Sequence, residues 1–194
     1  MQILYLIGFY LVTIGGYFYF THLPNENHFL TTWDKYIPVV PVMIVPYLFN
    51  TLLFLALPIF FYLNLGWSKT KPYLLTMFTA NLISFAIFGL YPTSVVREPI
   101  SGNDIFSNTL KFLYVSDRPS AAFPSGHVFE AIIIGYFLWQ YFPVTRIYVL
   151  ILVPIIIAST VLLKQHYLPD ILGGIITAVI AIALINFLKI KARI

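Results

Sequence analysis

Six apolar runs of about bilayer length constrain this chain more than any other feature. They cover about Ile3 to Phe20, Ile37 to Leu63, Tyr73 to Tyr91, His127 to Phe142, Ile147 to Leu163 and Ile171 to Leu188. A stretch of roughly 20 apolar residues crosses the hydrocarbon core as a helix. In lipid the backbone must satisfy its own polar groups, and a helix does so within the segment. Charged residues are only 9% of the 194 positions, against roughly a quarter in a soluble domain. The expectation is therefore an all-α integral membrane bundle of about six transmembrane helices, forming one domain over residues 1–194. The absence of cysteine excludes disulfides, thiol nucleophiles and cysteine metal sites. The net charge of +4 comes without a basic patch, so no nucleic-acid partner is expected.

Between the runs the chain is punctuated unevenly. The first run lacks the basic leader and cleavage site of a secretory signal and reads as a span. Residues Thr21 to Lys35 form a polar loop carrying His22, Glu26, His28 and Asp34. Pro38, Pro41, Pro46 and Pro58 interrupt the second run, which predicts a kinked helix or a re-entrant start. Gly66 to Pro72 reads as a short basic turn. The longest polar insertion is Pro92 to Ala122, where Asp104 is placed to cap a short helix reaching about Tyr114. Phe106, Leu110 and Leu113 share one face of it, and that stripe predicts a helix lying along the membrane surface. Pro143 to Arg146 makes a tight turn. Asn50 and Asn81, inside spans, are expected to bond neighbouring helices. Glu130, one turn past His127, is placed either to tune that histidine or to pair with a cation.

With six spans both termini lie on one side, together with Lys69, Lys71, Arg146, Lys189, Lys191 and Arg193. These cations occupy short connections or the tail, where the positive-inside rule applies best. Both termini are therefore expected in the cytoplasm, on the side opposite the third-to-fourth and fifth-to-sixth connections. Those two connections would share the outer face, with the plasma membrane as the expected location.

The same two connections hold the chemistry. They contain His127 and His166, with Lys111, Arg118, Lys164, Asp117 and Asp170 near them. Ionisable groups at a membrane are expensive and mark function. In Phe123-Pro-Ser-Gly-His127, Gly126 allows close backbone approach and Pro124 stiffens the chain. The N–H groups of a helix starting there suit an anion, and phosphate also suits the cations.

Three spaced motifs follow in order: Lys111-x6-Arg118-Pro119, Pro124-Ser-Gly-His127 and Ser159-x6-His166-x3-Asp170. Together they resemble the type 2 phosphatidic acid phosphatase superfamily, over a motif region reaching from residue 97 to residue 170. The resemblance implies that His166 attacks phosphorus, that Asp170 orients it, and that His127 protonates the leaving oxygen and then activates water. It further implies phosphate contacts from Lys111, Arg118, Ser125 and Gly126, with no metal and no other cofactor. Two departures matter. Thr160 stands where the family has arginine, and Lys164, four residues on, would share its helix face and restore the charge. Only four residues separate Pro119 from Pro124, a short gap that leaves Arg97 as another source of the first-motif cation.

The implied activity is hydrolysis of a lipid phosphate entering sideways from the bilayer, for example phosphatidic acid, phosphatidylglycerol phosphate or a polyprenyl pyrophosphate. The alternative is transfer of the group to an alcohol, because Lys164-Gln-His-Tyr167 resembles the wording of lipid head-group transferases. A transporter or channel would place its ionisable groups in mid-span, whereas here nearly all stand at boundaries. A metal-dependent alcohol phosphotransferase would need paired aspartates, and no two lie within five residues of each other. The expected partners are the lipid substrate and the membrane; the oligomeric state stays open.

Overall fold

The computed structural model describes residues 1–23 and 27–191. Glu26 and Arg193 lie outside the described residues, as do the side chains of Lys189 and Lys191. The helices are α1 (Gln2–Thr21), α2 (Ile44–Leu65), α3 (Trp67–Leu90), α4 (Ile105–Ser116), α5 (Gly126–Tyr141), α6 (Arg146–Leu162) and α7 (Leu168–Lys191). Beyond two isolated bridges, Asn27 to Thr93 and Ser94 to Ser120, no strand pairing occurs among the described residues. The fold is all-helical.

Five helical stretches are long and apolar enough to cross a membrane: Gln2–Thr21, Pro41–Leu65, Trp67–Leu90, Pro143–Leu162 and Leu168–Leu188. The remaining apolar run forms α5, whose 16 residues reach only about 24 Å at 1.5 Å per residue. What α5 lacks in length it makes up in enclosure. It packs against α2, α3, α6 and α7, with Val128 and Ile133 fully buried. The other helices keep apolar side chains outward as well: Leu11, Leu52, Leu150, Leu172 and Val179 are all exposed. An exterior of that kind suits lipid, not water.

Local chemistry explains the helix ends. Pro38 and Pro41 precede α2, and Pro46 lies in its first turn, where a missing N–H costs little; only Pro58 sits inside. The segment Gly66 to Pro72 is not a basic turn. Gly66 alone reverses the chain, at φ 74°, a conformation that glycine adopts without penalty. Trp67 to Lys71 are already helical, because Thr70 and Tyr73 bury completely on the resulting face. Asp104 caps α4 as expected, its carboxylate accepting from the N–H groups of Phe106 (2.9 Å) and Ser107 (3.2 Å). The Ser107 hydroxyl and these N–H groups hold its carboxyl below the usual range. Leu110 of α4 packs into a cluster with Ile44, Tyr47 and Leu163, whereas Ile105, Phe112 and Val115 are exposed.

One end of the bundle gathers the long connections. Ser94 N–H donates to the Asn27 carbonyl (2.9 Å) and Val40 N–H to that of Leu162 (2.9 Å). Asp34, buried in the first loop, accepts from Leu168 N–H on a carboxylate oxygen (2.8 Å). Its carbonyl accepts from Lys164 Nζ (2.9 Å). The α1–α2, α3–α5 and α6–α7 connections thus form a single cap.

Candidate active site

Beneath that cap lies a cavity of about 460 Å³, walled by α1, α2, α3 and α5 and roofed by 117–121 and 165–166. His127 and His166 both line it. Most of the remaining wall is apolar, with Ile14, Phe18, Leu48, Phe54 and Phe85 among its residues.

His166 arrives there because α6 stops at Leu162 and the chain turns through Lys164 at φ 48°. The N–H groups of Gln165 and His166 both return to the Thr160 carbonyl (3.0 and 3.2 Å), satisfying an orphan acceptor of the helix end. His166 Nδ1 lies 2.9 Å from the Ala122 carbonyl. A carbonyl can only accept, so Nδ1 carries a hydrogen, and in the neutral ring the lone pair is then on Nε2. Asp170 stands in the first turn of α7, with Oδ2 at 3.5 Å from the same Nδ1. That oxygen also accepts from Tyr167 N–H (2.8 Å), and Oδ1 is buried without a partner. The Ala122 carbonyl is thus the nearer orienting group, and the carboxylate backs it.

His127 sits in the first turn of α5, its ring stacked on Tyr47 at 3.9 Å between centroids. Its Nε2 is 3.3 Å from the Thr51 hydroxyl. Ser125 is the N-cap of α5, yet its side chain makes no capping bond, and its Oγ is buried without a partner. The first N–H groups of α5 therefore have no side-chain acceptor, which is the arrangement an anion completes. A Cβ on Gly126 would meet nothing nearer than the Phe129 ring at 4.0 Å, so the space before it is open. The Phe123–Pro124 peptide is cis.

The backbone of this turn is held from α7: Ser125 N–H donates to the Asp170 carbonyl (3.0 Å). Gly174 permits the approach, since a Cβ there would stand 2.8 Å from the Ser125 carbonyl and 2.7 Å from Val128 Cβ. Gly173 faces only the movable Phe123 ring. Gly174→Ala is expected to cost about 1–3 kcal/mol through overpacking and to lower activity; Gly173→Ala should cost less. Thermal unfolding and turnover of the two variants in detergent test that order.

The cations divide by geometry. Arg118 lines the cavity and is exposed. Arg97 is nearly enclosed and stands one layer back, its guanidinium donating to Gln165 Oε1 (2.6 Å) and to the Asp117 carbonyl (2.6 Å). It also lies 4.8 Å from the Tyr114 ring. Burial pushes the Tyr114 phenol up to about 12, so at neutral pH it remains an uncharged donor to the Leu163 carbonyl (2.8 Å). Lys111 is not brought to the cavity: its ammonium donates to the Gly102 carbonyl (2.6 Å) and Asn103 Oδ1 (3.1 Å). Lys164 departs furthest from expectation. Because α6 has ended, it does not share a helix face with Thr160, and its ammonium is buried against the Asp34 carbonyl and Glu98 (3.0 Å).

Sequence reasoning missed Gln165, Tyr47 and Thr51 on the cavity wall. Gln165 Nε2 is buried with no partner, a donor left over beside His166. Nothing in its type marked it; its place before the histidine was the one available signal. A second cavity, about 590 Å³ between α1 and α3, has Lys71 among mainly apolar walls and no histidine or carboxylate. Among the described residues no three His, Asp or Glu side chains gather as a metal site.

A family model described as the PAP2 superfamily matches residues 27–184. No curated protein and no solved structure matches the chain.

Proposed function

The chain belongs to the PAP2 superfamily, and on that premise we propose that it is a membrane lipid phosphate phosphatase working through a phosphohistidine on His166. Family membership supports phosphatase-type chemistry on a phosphoester, and the apolar helices support a membrane location. The observation that carries the finer reading is the pairing of an oriented His166, Nε2 free, with His127 on one cavity wall.

In this reading Nε2 of His166 attacks phosphorus and the P–O bond to the lipid alcohol breaks. His127 gives its proton to the departing oxygen, then takes one from a water whose oxygen bonds phosphorus as the P–N bond to His166 breaks. Inorganic phosphate leaves and His166 is restored. Arg118, Gln165 and the first N–H groups of α5 at Gly126 stabilise the charge on the phosphoryl oxygens, with the Ser125 hydroxyl beside them. Arg97 fixes Gln165 from behind. Lys111 and Lys164 hold the cap together and contribute positive potential at longer range. No step requires a metal ion.

The cavity's apolar wall, rising along α1, α2 and α3, suits acyl or prenyl chains entering from the lipid. We take α5 as the sixth span, its shortness offset by burial among α2, α3, α6 and α7. The exposed Ile105, Phe112 and Val115 suit α4 to lying in the interface at the outer face of a plasma membrane, both termini being cytoplasmic. Transfer of the phosphoryl-bearing group to an alcohol would use the same histidines, and an added alcohol acceptor that lowers free phosphate would reveal it.

The test is a phosphate-release screen of purified protein on phosphatidic acid, phosphatidylglycerol phosphate and a polyprenyl pyrophosphate. At least one is expected to turn over, with inhibition by vanadate and none by a chelator. Chelator-abolished turnover, or turnover of none of them, would overturn the reading.

A further inference from the structure

Glu130 is a carboxyl group deep in a membrane bundle that the phosphatase chemistry above does not use. A group of that kind is costly to place in a span and marks a functional contact. It lines the same cavity as His127, three residues later on α5 and therefore on the same face, with Cβ atoms about 5–6 Å apart. No ion pair engages it among the described residues, so the expected cation partner is not there. Instead Asn50 of α2 donates to Glu130 Oε2 (3.0 Å).

The neighbouring residue on α2 serves the histidine: Thr51 Oγ1 lies 3.3 Å from His127 Nε2. Two adjacent residues of one helix thus hold two groups one turn apart on another. Asn50 is fully buried, which fixes the carboxyl in position without neutralising its capacity to accept. Only the Oε2 oxygen of Glu130 takes that bond, and the residue lines a cavity whose wall also includes Phe54, Leu55, Asn81 and Phe129. A lipid chain has nothing to offer the other oxygen. A hydroxyl group does.

We propose that Glu130, held by Asn50, is a hydroxyl-binding subsite that selects lipid phosphates carrying a free hydroxyl close to the phosphate ester. The inference rests on the phosphatase reading, because it is His127 that locates the leaving oxygen. With that oxygen at the imidazole, the carbon chain bearing it runs on down the cavity. A hydroxyl on an adjacent carbon then comes within a helical turn of His127, where the Glu130 acceptor waits. A buried acceptor built for a substrate hydroxyl rejects the analogue that lacks it, since the acceptor is then left unpaired.

The experiment uses the full chain and two substrates alike except at one position: a monoacyl glycerol phosphate with its free hydroxyl, and the same lipid with that hydroxyl methylated. The wild type is expected to favour the hydroxyl form by about tenfold or more in kcat/KM. Glu130→Leu should bring the ratio close to one, mainly by slowing the hydroxyl form. Glu130→Gln keeps the volume and a carbonyl toward Asn50, so it serves should the leucine variant not fold; its ratio should fall part of the way. Equal turnover of both lipids by the wild type, or a Glu130→Gln ratio unchanged from wild type, overturns the subsite alone. Turnover of neither lipid by a wild type that hydrolyses another lipid phosphate overturns the subsite alone, whereas turnover of no lipid phosphate at all overturns the phosphatase reading, and the subsite with it.

Discussion

His166→Ala is expected to lower phosphate release from every lipid phosphate by at least about a thousandfold, the scale seen when a covalent nucleophile is removed. The loss should be chemical and not structural. Asp170 keeps Tyr167 N–H on Oδ2 and Ser125 N–H on its carbonyl, so the junction of α5 and α7 survives without the imidazole. Thermal unfolding in detergent should therefore move little while turnover collapses. A second measurement separates nucleophile from bystander. Brief reaction with a lipid carrying labelled phosphate should leave acid-labile label on the wild-type chain and none on His166→Ala. If the variant keeps a tenth of wild-type turnover, His166 is not the nucleophile.

The second large effect concerns the cations, which sequence spacing ranks one way and geometry another. Arg118→Ala should cost about a hundredfold in kcat/KM, the range for loss of one donor to a developing charge. Stability should change little, since Arg118 is exposed at the cavity wall. Arg97→Ala should reduce activity and stability together. It strips the buried Gln165 of its partner and leaves the Asp117 carbonyl, which accepts from Arg97 at 2.6 Å, unsatisfied. Arg97→Lys should rescue only part of this, because an ammonium cannot reproduce the fork. Lys111→Ala should cost less than tenfold in kcat/KM, as its ammonium is already engaged by Gly102 and Asn103. A Lys111 loss exceeding that of Arg118 would show that the first motif reaches the phosphate by a route the cavity does not use.

The helical frame and the two histidines were legible because they rest on local signals. Long apolar runs can only be helices in lipid, and a cap such as Asp104 bonds groups two and three residues away. The places of Lys111 and Lys164 were not legible for the opposite reason. Where an ammonium on a long flexible stem comes to rest depends on which carbonyls the fold brings near it. Lys164 reads as one turn past Thr160, but α6 stops at Leu162, and nothing in that apolar sequence announces the stop. Gly66 to Pro72 misled similarly: its lysines and proline look like a turn, while burial of Thr70 and Tyr73 makes helix. Gln165 and Asn50 gained their roles from partners that are distant in sequence, Arg97 and Glu130.

Asp34 carries a consequence for how the protein is made. A ribosome delivers the first loop long before His166; Thr31 of that loop satisfies one carboxylate oxygen of Asp34, but the other oxygen and the carbonyl are satisfied by Leu168 and Lys164. Until α6 and α7 emerge, Oδ1 and the carbonyl lack those partners. A nascent chain that has inserted α1 to α5 therefore has neither His166 nor the Asp170 carbonyl that holds the Ser125 turn. Arrival of the last hairpin supplies the missing Asp34 partners and His166, the nucleophile of the proposed mechanism, together. Chains cut short during synthesis would on this account be catalytically silent.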